Sequence, residues 1–154
     1  VFAKTAFFID NVGTAFGTTQ KVGVLLAASL KWKTNIEWVP VGDGVTYAKT
    51  CKIGRPEVTF SITLELEQNG AVSAVATERA RYDSDNYGLF RFDVPSQYGG
   101  RMKFDLVGKY DKIGPYSKEG NIDTSVTFEG SGVYSPTDAM LMAIEHTSTL
   151  ATIP

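Results

Sequence analysis

The stretches Ala28-Ser29-Leu30-Lys31-Trp32-Lys33-Thr34-Asn35-Ile36-Glu37-Trp38 and Val58-Thr59-Phe60-Ser61-Ile62-Thr63-Leu64-Glu65-Leu66 decide the fold. In the first, Ala28, Leu30, Trp32, Thr34, Ile36 and Trp38 share one side, and Ser29, Lys31, Lys33, Asn35 and Glu37 the other. In the second, Val58, Phe60, Ile62, Leu64 and Leu66 oppose Glu57, Thr59, Ser61, Thr63, Glu65 and Glu67. Strand side chains alternate between faces with period 2, so each run specifies a strand with one buried and one wet face. Globular strands average about 5 or 6 residues. Runs of this length predict a wide sheet whose surface has a task of its own, and they assign Trp32 and Trp38 to the core.

Outward from these runs, turn residues punctuate the chain. Residues 1–21 read as an N-terminal strand, rich in Phe and closed by Asp10-Asn11-Val12-Gly13, followed by a Thr- and Gly-rich loop. From 39 to 56 the alternation stops at Pro40, Gly42, Asp43, Gly44, Gly54 and Pro56, with room for a small strand over Val45 to Cys51. Connections this long in compact domains are functional or disordered, which makes 39–56 a candidate contact arm. After the Asn69-Gly70 turn, Val72, Val75, Ala76, Arg79 and Ala80 recur at helical spacing, predicting a helix over 71–83. Strands are expected at Leu89 to Val94, Arg101 to Tyr110 and Asn121 to Glu129. Residues 136–147 are open between two readings. Ser135-Pro136-Thr137-Asp138 looks like a capped helix start, whereas Ala139 to Ile144 suits a strand buried on both faces. The element order predicts a mainly β domain, a β-sandwich or half-barrel with one packed α-helix.

Composition narrows the function classes. The 154 residues fit one domain that buries its own core. Fifteen Lys and Arg against 17 Asp and Glu leave a formal charge of -2, without the basic field of a tight nucleic-acid binder. Cys51 is the only cysteine, which rules out an internal disulfide. No apolar stretch approaches the ~18 residues of a membrane-spanning helix, and no signal-peptide pattern opens the chain. The start on Val1 instead of Met points to processing or excision from a longer chain.

Chemistry-bearing constellations are absent from the sequence pattern. Nucleophilic hydrolysis needs a nucleophile, a base and an orienting acid; His146 is the only histidine, and Gly130-Ser131-Gly132 reads as a turn. Cys51 and His146 cannot supply four zinc ligands. Asp83, Asp85 and Asn86 lack the closing Glu of a calcium loop, and Gly42-Asp43-Gly44 lacks the Lys-Ser/Thr of a phosphate loop. Glu57, Glu65 and Glu67 alternate on an exposed strand face with no apolar pocket to raise a general acid's pKa. The expectation is a non-enzymatic protein with no cofactor, metal site, membrane partner or small-molecule substrate.

The order of long strand, long loop closed by Gly54-Arg55-Pro56, strand Glu57 to Glu67, helix, and strand ending in Pro95 resembles the tail tube (major tail) proteins of long-tailed bacteriophages. Val58 to Leu66 and Val126-Thr127-Phe128-Glu129-Gly130 carry the likeness most clearly, and it covers most of the chain beyond Val22. The resemblance implies a single tail tube-like domain over 1–154, or one half of a larger subunit whose other half repeats the fold. It implies a structural virion protein of the tail, assembled in the host cytoplasm, which self-associates into stacked hexameric or pseudo-hexameric rings. Their sheets join between subunits into a ring barrel, and viral DNA passes through during ejection without specific binding. It makes Val45, Tyr47, Lys49, Lys52 and Arg55 an inter-subunit loop, and Glu57, Glu65 and Glu67 a lumen-facing set that repels phosphates instead of releasing their counterions. The plainer reading of those acids is a solvated face neutralised by Lys31 and Lys33. A ring barrel also removes the free edges that make long alternating strands an aggregation hazard. The alternative is a β-sandwich binding module, a glycan or protein adhesion domain of a virion or cell surface with Trp32 and Trp38 on a platform. Core burial of both Trp would argue against it.

Overall fold

The computed structural model describes residues 5–22, 24–39, 50–66, 74–95, 100–119, 122–138 and 141–147. Its elements are β1 Ala6–Asn11, β2 Leu25–Lys33, β3 Ile36–Val39, β4 Thr50–Ile53, β5 Glu57–Glu65, α1 Ala74–Asp83, β6 Gly88–Pro95, β7 Arg101–Ile113, β8 Ser117–Glu119, β9 Ile122–Gly132 and β10 Met142–Thr147. Eight strands form one antiparallel sheet in the order β1-β6-β7-β9-β5-β2, with β10 beside β7 and β8 beside β9; β3 and β4 form a separate ribbon. Strand β7 is the pivot. Its residues up to Gly108 pair with β6, and its first half also pairs with β10. From Gly108 onward it pairs with β9.

The sheet curls onto its own core. The rings of Phe60 on β5 and Phe90 on β6 have centroids 4.8 Å apart, although three strand spacings separate those strands, about 14 Å in a flat sheet. Glycines on the concave face permit this: a Cβ at Gly108 would stand 2.7 Å from the Phe60 ring, and one at Gly130 would strike that ring at 2.6 Å. Phe60, Gly130 and Tyr110 lie in one cross-strand row, so the two aromatics close over the glycine between them. Gly130-Ser131-Gly132 is therefore interior strand and not the turn expected from its composition. The architecture is the half-barrel form of the expected fold, one curled sheet with a helix packed on it.

The second alternating run behaves as read: Val58, Phe60, Ile62 and Leu64 are all at most 2% exposed. The first does not. Asn35 adopts a left-handed φ of 50° and breaks the run into β2 and β3. Its Nδ2 donates to the Arg55 carbonyl at 2.7 Å, and the Gly54 amide donates to the Asn35 carbonyl at 2.7 Å. This knot turns β3 and β4 out of the main sheet as an arm. Only Ala28 and Leu30 of the alternating set pack on the core. Trp32 is 54% and Trp38 66% exposed, because pairing with β5 ends at Lys33 and Glu57 and no sheet remains beyond to cover them. Neither Trp is a core residue.

The helix begins at Ala74, and residues 71–73 lie outside the described residues. The stripe expected from Ala76, Arg79 and Ala80 is exposed; Ala74, Val75 and Glu78 are the buried set. The helix docks through a carboxylate: Tyr110 Oη donates to Glu78 Oε2 at 3.0 Å, as does Arg81 Nε at 3.0 Å, and Lys21 Nζ lies 3.8 Å from Glu78 Oε1. At the C-terminus Ser135 does cap Asp138, but the cap closes a turn, and Met142–Thr147 is a strand on β7.

Candidate assembly surface and polar wall

Two surfaces stand apart from the packed core. The first is apolar and lies on β2 and the arm. Ile36 faces Ile53 and Trp38 faces Cys51 across the ribbon; period-2 alternation places these four on one side, with Glu37 and Lys52 on the other. Ile36 is 49% and Ile53 77% exposed. Trp32, on the edge strand that leads into the arm, is exposed as well. Large exposed apolar side chains gathered this way make the arm a candidate interaction surface.

The second surface is the convex, polar side of β2, β5, β9 and the second half of β7. Its cross-strand rows are Lys33–Glu57, then Lys31–Thr59–Ser131–Lys109, then Ser29–Ser61–Glu129–Lys112, then Ala27–Thr63–Thr127, and last Glu65–Ser125. Hydroxyls bridge the strands, with Thr63 Oγ1 and Thr127 Oγ1 2.9 Å apart. Charges cancel nearly row by row. Lys33 Nζ stands 3.7 Å from Glu57 and Lys112 Nζ 3.9 Å from Glu129, while Lys109 pairs with Asp85 at 2.6 Å. Lys31 and Glu65, three rows apart on the wall, have no ion-pair partners among the described residues.

Of the residues singled out in the sequence, Glu57 and Glu65 are exposed on this wall, and Glu67 lies outside the described residues. Lys52 on β4 and Arg55 at the base of the arm are exposed; Val45, Tyr47 and Lys49 lie outside the described residues. Glu129 and Lys112 were missed as wall residues. A β-bulge between Tyr110 and Lys112 shifts the phase of β7, so simple alternation does not reveal that Lys112 joins the polar face. At the arm's base, Arg55, Val58, Gly132, Tyr134 and Leu141 line a cleft of about 820 Å³, opened where β7 passes from β10 to β9. His146 is exposed opposite Met102 on β7. No cluster of metal-ligating side chains occurs among the described residues, and no described helix is long and apolar enough to cross a membrane.

No protein-family model and no curated protein matches the sequence. Solved structures do match in shape. The SPP1 tail tube, determined by solid-state NMR and cryo-electron microscopy, superposes with a TM-score of 0.59 at 8% identity, over 82% of this chain and 72% of that one. A chain of the tail of an empty gene transfer agent particle, refined with C6 symmetry, gives 0.54 at 16% identity over 93% and 95%. A chain of the native gene transfer agent virion gives 0.53 at 13% over 92% and 95%. The curled sheet with its packed helix is thus a tail tube fold.

Proposed function

We propose that the chain is a structural, non-catalytic tail tube subunit, which self-assembles into stacked rings around a channel for DNA. The observation that carries this reading is the exposure of Trp32 on the edge strand β2 and of Ile36, Ile53 and Trp38 on the arm, in a fold shared with proteins of tail assemblies. A surface of that kind is at odds with life as a monomer and is suited to another copy of the chain. The C6 symmetry of the gene transfer agent tail supports six copies, or six domains, per ring. In such a ring the hydroxyl-rich wall faces the channel, and its balanced charges neither hold a polyanion nor release its counterions. The place of action is the virion tail, after assembly in the host cytoplasm.

The exposed tryptophans lend something to the glycan-binding alternative, since sugars stack on aromatic faces. Among the described residues, the neighbours of Trp38 on its side of the ribbon are Ile36, Ile53 and Cys51, none of which offers the polar groups a sugar requires. Sedimentation velocity across a concentration series separates the two readings. Self-association that Trp38→Ser abolishes supports the tube, and a monomer at every concentration that binds oligosaccharide contradicts it.

A further inference from the structure

We propose that residues 13–21 form a strap that keeps the edge of β1 out of reach of other chains, and that the Asp10 carboxylate is the latch that holds it shut. Strand β1 ends the sheet order, with β6 on one side of it. Backbone groups alternate sides along an antiparallel strand. Those of Phe8 turn to its partner Arg91 on β6, and those of Phe7 and Ile9 turn outward. The strap takes the outward ones. The Ile9 amide donates to the Thr19 carbonyl at 3.1 Å, and the Lys21 amide donates to the Phe7 carbonyl at 2.8 Å, on either side of an antiparallel bridge between Phe8 and Gln20.

Two such rungs do not by themselves offset the entropy of ordering a loop. Side chains tie the strap down. Asp10 is buried, and both of its oxygens accept hydrogen bonds from the strap. Oδ2 takes the Gly17 amide at 2.8 Å and the Thr18 amide at 3.1 Å, and Oδ1 takes the Thr19 amide at 2.7 Å together with the Thr18 hydroxyl. Arg91, anchored on Asp105 by two hydrogen bonds of 2.6 Å, donates to the Phe16 carbonyl at 3.2 Å, and its guanidinium lies 5.8 Å from the centre of the Phe16 ring. Gly17 makes room for that arginine: its φ is 77°, and a Cβ there would stand 2.6 Å from Arg91 Nη1. The reason for a guard lies in the edge itself. Ala6-Phe7-Phe8-Ile9 carries no charge and no proline, the composition that pairs with other chains when left open. The first charge along β1 is Asp10, and it is spent on the strap.

Hydrogen exchange resolved by residue, together with sedimentation, tests the device. The parent carries Trp32→Ser and Trp38→Ser, which remove the exposed tryptophans of β2 and the arm as a source of association. In that background Asp10→Ala is expected to speed exchange of the Ile9 and Lys21 amides about tenfold or more, while the Phe8 amide, which faces β6, keeps its protection. The same variant should associate more than its parent across a concentration series. Thr18→Val removes one hydroxyl and keeps the carboxylate, and should give a smaller change in the same direction. It takes the place of Asp10→Ala in both measurements if that variant loses protection at Phe8 as well. Unchanged exchange at Ile9 and Lys21 would overturn the latch. Faster exchange at both amides with no more association than the parent at any concentration would overturn the guard, because the bared edge would then attract no other chain.

Discussion

At the scale of single residues, Glu78 holds the helix to the sheet. It is fully buried, and its partners come from three places: Lys21 before β2, Arg81 on its own helix and Tyr110 on β7. Burial, and then the nearby Glu78 carboxylate, push the Tyr110 phenol well above its usual pKa, so the hydroxyl stays a donor. Glu78→Ala strands buried donors and is expected to cost about 3 to 5 kcal/mol in urea unfolding. Tyr110→Phe removes one donor and should cost about 1 to 3 kcal/mol; a reversed order of the two would refute this account of helix docking. Asp10 is the acid-sensitive counterpart. Burial tends to raise its carboxyl, but hydrogen bonds from Thr18 and Thr19 outweigh that and hold it below the ordinary value. A lowered folded pKa means the contribution is complete above the unfolded value of about 3.9. It is lost as pH falls below that value and through the folded one. Asp10→Asn should therefore flatten the decline of stability as pH falls below about 4, and an unchanged acid limb would count against the role given to Asp10.

At the scale of elements, the arm is where structure and function meet. It leaves the sheet because Asn35 turns left-handed and is tied to Gly54 and Arg55. A Cβ at Gly54 would stand 2.9 Å from Asn35 Cβ, so Gly54→Val should swing the arm and impair assembly with little change in the melting of the core. Trp32→Ser with Trp38→Ser should shift monomer stability by no more than about 0.5 kcal/mol, as for other surface changes, while abolishing self-association in sedimentation. A large loss of stability would mean the tryptophans pack internally after all. The same residues show what could be read in advance. Strand β5 was legible because its alternation coincides with a face buried along its whole length. The run from Ala28 to Trp38 misled because periodicity reports that two faces differ, and an interface covered by another molecule has the same pattern as a core. The helix stripe misled for a related reason, since a buried Glu held by Tyr110 and Lys21 from other parts of the chain leaves no local pattern. The bulge that brings Lys112 to the wall, and the glycines that curl β9 around Phe60, depend on cross-strand register and not on any single segment.

At the scale of the whole molecule, the proposed function gives the wall to passage and the arm to assembly. The wall's balance can be upset without touching the arm. Glu65→Lys with Glu129→Lys leaves an uncompensated basic surface, which is expected to spare tube formation and to slow DNA release from particles in a manner relieved by salt, because cationic surfaces bind phosphates by counterion release. Release at an unaltered rate would place this face away from the channel. The account rests finally on one claim, that copies of this chain close into hollow tubes. Electron microscopy of the purified protein at increasing concentration tests it directly: hollow tubes of stacked rings, six domains around, are the expected result. Particles that remain single, compact monomers throughout the series would contradict it.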